Sequence, residues 1–103
     1  MSWQPVRKFN GIANVFAGPD LVDIAEYDFE IYEENPNDHE QHGANWKPGA
    51  QKIEGTVTGE LPLRKDLSLV TEEGYFLNFY LRDRFGSLVN LGPLVDAGGK
   101  PVH

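Results

Sequence analysis

From Lys52 to Leu63 the chain alternates, with Ile53, Gly55, Val57, Gly59 and Leu61 separated by Glu54, Thr56, Thr58 and Glu60. A period of two belongs to a strand with one buried face, so a strand is predicted here. Gly55 and Gly59 offer no side chain to pack and point to a bend, a bulge or a close approach of backbones, as in a small barrel. Pro62 ends the ladder or sits at an edge.

Residues 67 to 91 read as three strands joined by Glu72-Glu73-Gly74 and Arg84-Phe85-Gly86. Three-residue hairpin loops commonly close on a left-handed residue, which glycine adopts without steric cost. Matching apolar side chains sets the register. Pairing Thr71 with Tyr75 puts Leu69 opposite Leu77 and Leu67 opposite Phe79, whereas a slip of one residue would set Leu69 against Asn78. The second loop, treated alike, pairs Asp83 with Ser87, Leu81 with Val89 and Phe79 with Leu91. The expected core face of this meander is Leu67, Leu69, Leu77, Phe79, Leu81, Val89 and Leu91. Its other face carries Ser68, Val70, Phe76, Asn78, Tyr80, Arg82, Leu88 and Asn90.

Residues 20 to 34 admit two readings. Tyr27, Phe29 and Ile31 alternate with Asp28, Glu30 and Tyr32 as in a strand, while Val22 and Ile24 are out of phase, which a bulge near Ala25 and Glu26 would reconcile. The alternative is a helix capped by Asp20, but Asp28 interrupts its apolar stripe, and the aromatic and β-branched content favours the strand. Val6 to Ala17 reads as a strand interrupted at Gly11. Residues 35 to 50 form a long polar loop around Trp46, and Ala97 to His103 is expected to fray. Together these elements predict one all-β domain over residues 1 to 103, a small barrel or sandwich of about six strands with a C-terminal antiparallel meander. An α+β fold with one helix near residues 20 to 34 is the alternative.

Composition agrees with this picture. Eleven glycines and seven prolines in 103 residues suit many turns between short elements. No apolar run approaches the roughly 20 residues of a membrane helix, and Met1 to Pro5 shows no basic region leading into an apolar stretch. The expectation is therefore a cytoplasmic protein with no membrane partner. With no cysteine, disulfides, thiol catalysis and thiolate metal sites are excluded.

Charge is segregated along the chain. Residues 9 to 46 hold nine acids and no lysine or arginine, and the remainder holds seven acids and nine bases, within a net charge of −7. Such a negative field repels phosphate and argues against nucleic acid as a partner. It also keeps a small protein soluble.

The catalytic inventory is poor. Asp38, His39, Glu40 and His42 are the one cluster of metal-ligand types, but Asn35-Pro36-Asn37 places them in a loop and their spacing matches no hydrolase signature. Three serines, no nucleophile elbow and no glycine-rich phosphate loop leave neither a triad nor a nucleotide site. No catalytic residue, metal or cofactor is assigned.

The unusual feature is the second face of the meander. Phe76 and Tyr80 beside Arg82 could stack on a flat ligand or anchor a partner, unless the N-terminal strands cover them as a second core face. The register also sets Arg64 opposite Arg82, with Lys65 and Arg84 nearby. That is an unfavourable like-charge arrangement unless something anionic lies between them. The leading expectation is a non-catalytic protein-interaction module that binds a protein partner or a second copy, as in a homodimer in which the acidic segment of one copy meets the arginines of another. The alternative is a small-molecule-binding barrel, or an enzyme, with a pocket lined by Tyr27, Phe76, Tyr80 and Arg82. Trp46 is a loop anchor or a further contact residue.

Overall fold

A computed structural model describes residues 3–34 and 51–102. Trp46 and the cluster Asp38, His39, Glu40 and His42 lie outside the described residues. Within them are six strands and no helix: β1 (Trp3–Ala17), β2 (Asp20–Glu34), β3 (Gln51–Thr58), β4 (Leu67–Thr71), β5 (Phe76–Leu81) and β6 (Leu88–Asn90). They form one antiparallel sheet in the order β3-β2-β1-β4-β5-β6.

Stagger curls the sheet into a nearly closed barrel. β4 pairs with Ala13 to Phe16, next to the Gly18-Pro19 turn, while β3 pairs with Glu26 to Glu33 towards the far end of the hairpin. Strands offset in this way tilt and bring the first and last members of a sheet together. Here β3 meets β6, where Thr56 bridges Ser87 and the Val57 N–H donates to the Gly86 carbonyl at 2.8 Å. Two glycines allow the close approaches. A Cβ on Gly55 would lie 2.1 Å from the Asp28 carbonyl oxygen, and one on Gly86, at φ 82°, would lie 2.4 Å from that of Val57.

Residues 20 to 34 are strand throughout, because the alternation of Ala25, Tyr27, Phe29 and Ile31 places four apolar side chains inside. The expected bulge is displaced. Phe16 pairs with Leu21 and Val15 with Asp23, so the extra residue is Val22 rather than one near Ala25 and Glu26. β1 is not interrupted at Gly11, which pairs with Tyr27 under that tyrosine's ring. β3 ends at Thr58, before Gly59.

The first meander hairpin has the register that apolar matching predicts, with Leu67 opposite Phe79 and Leu69 opposite Leu77. The second is shifted by one residue, so that Leu81 pairs with Leu88 and Phe79 with Asn90. Leu88 is therefore 5% exposed and inside, and Leu91 is 50% exposed and outside. The cause is Asp83, whose Oδ1 accepts from the N–H groups of Phe85 at 3.0 Å and Ser87 at 3.2 Å. That Asx turn draws Asp83 into a four-residue loop and leaves Arg82 facing Ser87, to whose carbonyl its N–H donates at 2.9 Å.

Phe29, Phe79, Ile31, Leu69, Leu77, Leu94, Val15 and Val57 fill the interior. Phe9 extends the core at one end, tilted against Phe29 and edge-on to Tyr75, each at 5.8 Å. Residues 94 to 102 do not fray: the Val102 N–H donates to the Leu94 carbonyl at 2.8 Å, and both side chains are buried. No helix among the described residues is long and apolar enough to cross a membrane.

Candidate functional site

The segment between β3 and β4 brings Arg64 to the end of β5. Its start is tied down by the Glu60 N–H donating to Asp23 Oδ2 at 2.9 Å, and Leu61 packs against the core. Arg64 then donates its N–H to the Leu81 carbonyl at 2.9 Å with φ at 55°. A non-glycine residue in the left-handed region costs on the order of 1 kcal/mol or more, and persists where its surroundings hold it there.

On β5, outward residues alternate with the buried Leu77, Phe79 and Leu81, so Phe76, Asn78 and Tyr80 share the outer face with Arg82, which follows the strand. Beyond β6, the one-residue register shift brings Leu91 to the same side. Arg64, Asp66, Tyr80, Arg82 and Leu91 line one open hollow of about 400 Å³. Among the described residues neither guanidinium has a carboxylate within 4.0 Å, Asp66 included. Two like charges thus share a concave surface without an ion-pair partner, a repulsive arrangement that a bound anion would relieve.

The sequence-predicted residues fall into distinct places. Tyr80, Arg82 and Arg64 come together at the hollow. Phe76 is on the same face, 36% exposed, at the edge where its backbone exchanges hydrogen bonds with Val95 at 2.8 and 2.9 Å. Tyr27 is elsewhere: it is 3% exposed inside the barrel, stacked on Phe29 at 5.2 Å, and lines no part of this face. The pocket of Tyr27, Phe76, Tyr80 and Arg82 considered from the sequence is therefore not formed. The N-terminal strands do not cover the outer face of the meander.

Two lining residues escape sequence reading. Apolar matching alone puts Leu91 in the core, and the signal that reverses it is the Asx-turn pattern of Asp83-Arg84-Phe85-Gly86-Ser87, which lengthens the loop and inverts the later alternation. Asp66 gave no signal in one sequence. Beside the site, Phe85 is 83% exposed at the tip of the 83–86 loop, and Arg84 lines a separate hollow with it.

Electrostatics at the loop follow from its hydrogen bonds. The Asp83 carboxyl is held below the ordinary 3.8, chiefly by the Ser87 N–H, with the Phe85 N–H and the Arg82 charge adding to it. Asp83 is thus a fixed anion of the loop. Across the barrel the outer face is of opposite sign: Glu26, Asp28 and Glu30 point outward from β2, and Glu30 pairs directly with Glu54 of β3.

Comparison of the chain with family models, with curated proteins and with solved structures finds no match in any of the three.

Proposed function

We propose that this protein is a non-catalytic protein-interaction module, and that the partner docks on the outer face of the C-terminal meander around Phe76, Tyr80, Arg82 and Arg64. The observation that carries the reading is the hollow in which Arg64 and Arg82 lie beside the ring of Tyr80 with no carboxylate of the described residues within 4.0 Å of either guanidinium. Arginine and tyrosine are the residue types over-represented where interfaces concentrate their binding energy. Tyr80 lies in β5, and the backbone N–H groups of Arg82 and Arg64 are bonded to the Ser87 and Leu81 carbonyls, which fixes their positions and lowers the entropic cost of binding.

The alternative of a small-molecule-binding barrel has less support. Phe29, Phe79, Leu69, Leu77 and Leu94 occupy the interior where such barrels hold their ligands. Open surface hollows, such as the one at Arg64 and Arg82 and the one at Arg84 and Phe85, would leave a small ligand less enclosed than the 70 to 90% burial, roughly, that ligand pockets achieve.

The test is affinity capture with the native protein and with a Phe76→Ala/Arg82→Glu double variant, read together with sedimentation. The reading expects bound proteins to be lost from the double variant. An unchanged set of bound proteins with an unchanged oligomeric state would overturn it.

A further inference from the structure

We infer that the partner presents an acidic segment, with one carboxylate received between Arg64 and Arg82 and the neighbouring apolar or aromatic side chain lying on Tyr80 and Leu91. This assignment rests on the docking face proposed above and adds the chemistry of what docks there.

Four observations point the same way. Neither guanidinium has a carboxylate of the described residues within 4.0 Å, Asp83 acting on Arg82 only from farther away, so the donors that match a carboxylate in fork geometry are unused. Arg64 is held at a costly backbone angle by its hydrogen bond to Leu81, and this places its side chain at the hollow. The charge of the site favours a carboxylate over a phosphate. Asp66 in the hollow and the neighbouring Asp83 already offset the two arginines, so the site has no excess positive charge to hold a phosphate dianion, within a protein whose net charge of −7 already repels polyanions. Finally, Leu91 is half exposed and Tyr80 partly so, leaving an apolar wall next to the charged rim. An acid flanked by an apolar side chain satisfies both parts, whereas a free inorganic anion would use only the first.

The experiment is a selection of random peptides displayed on phage against the full-length protein, followed by synthesis of the enriched peptides in two forms. In one form each Asp or Glu is kept, and in the other it is replaced by Asn or Gln. Binding is read by fluorescence anisotropy on native protein, Arg82→Gln and Arg64→Asn; asparagine tolerates the left-handed backbone, so the fold is kept. Enriched peptides should contain an acid next to an apolar residue. Affinity should fall about tenfold or more, both on amidation of the peptide and on loss of either arginine, as for a charge-assisted pair.

Enriched peptides that lack acids, or whose amide forms bind equally well, overturn the acidic assignment. If such peptides still lose affinity to Phe76→Ala, the docking face stands without it. If no peptide is sensitive to Phe76→Ala, Tyr80→Ala or Arg82→Gln, the face itself is wrong. Low-salt self-association that Arg82→Gln abolishes would replace the foreign acidic segment with the acidic β2 face of a second copy.

Discussion

Asn90 donates its side-chain amide to the carbonyl of Gln51 at 3.1 Å, across the seam where the two ends of the sheet meet. The same side chain accepts from the Ile53 N–H at 3.1 Å and donates to the Gly92 carbonyl at 2.9 Å. Gln51 answers from the other side: its amide donates to the Val102 carbonyl, and its Oε1 accepts from the Leu94 N–H at 3.2 Å. Two side-chain amides thus do at this seam what a ladder of backbone bonds does elsewhere, and they also fasten the C-terminal segment to β3.

Removing the Asn90 amide should therefore loosen the closure. Asn90→Ala is expected to cost about 1–3 kcal/mol, since partly buried backbone groups of Gln51 and Ile53 lose their partners. Urea unfolding gives the stability, and faster hydrogen exchange at the Ile53 amide identifies the seam as the place affected. Asn90→Asp keeps the acceptor for Ile53 but loses the donor to Gln51, so it should fall between the alanine variant and the native protein.

Register in the second meander hairpin is checked by a pair of truncations. Leu88→Ala should cost about 2–5 kcal/mol as a core deletion, while Leu91→Ala should stay within about 1 kcal/mol. The opposite order is what a hairpin with Asp83 opposite Ser87 would give.

Most of the fold was legible in the sequence because the buried positions follow a period of two. Leu67, Leu69, Leu77 and Phe79 repeat it without a break, and a slip of one residue would bury Asn78, so the first hairpin has one sensible register. The second hairpin has no such guard. Leu81 can face Leu88 or Val89 with equal apolar sense, and the choice is made by the Asp83 carboxylate, a side-chain hydrogen bond that hydrophobic matching does not weigh. Leu94 and Val102 were hidden for a related reason: they stand among Gly, Pro and Asp, and their burial depends on Gln51, more than forty residues away. At the site, Arg64 and Arg82 were legible as a like-charge pair. Leu91 was not, because its side depends on that same register.

A Cβ at Gly55 should be among the most damaging small changes. Gly55→Ala would place the new atom 2.1 Å from the Asp28 carbonyl oxygen and 2.5 Å from Phe29 Cα, at a φ of 154°. The backbones of β2 and β3 must separate to admit it, with an expected loss of about 3 kcal/mol or more. Gly92→Ala, where nothing lies within 4 Å of the new atom, is the control and should change stability by no more than about 0.5 kcal/mol. Thermal unfolding of the two variants side by side makes the comparison.

Alkaline stability should depend on Tyr27. Burial raises its hydroxyl pKa above the ordinary 10.0, Glu73 and Glu72 raise it further, and the Thr71 hydrogen bond opposes them. The folded state then holds this proton more tightly than the unfolded chain, so the stabilisation is complete below pH about 10 and is lost as pH rises through the folded value. Circular dichroism against pH should show unfolding on the alkaline side, and Tyr27→Phe should move that transition to higher pH.

The acidic-segment assignment is tested most directly by nitrogen-15 NMR of the labelled protein titrated with an enriched acidic peptide. The amides of Arg64, Tyr80, Arg82 and Leu91 should shift together along one binding curve, and these shifts should vanish for the peptide's amide counterpart. Shifts confined to the outer faces of β1, β2 and β3, or equal shifts with acid and amide peptides, would contradict it.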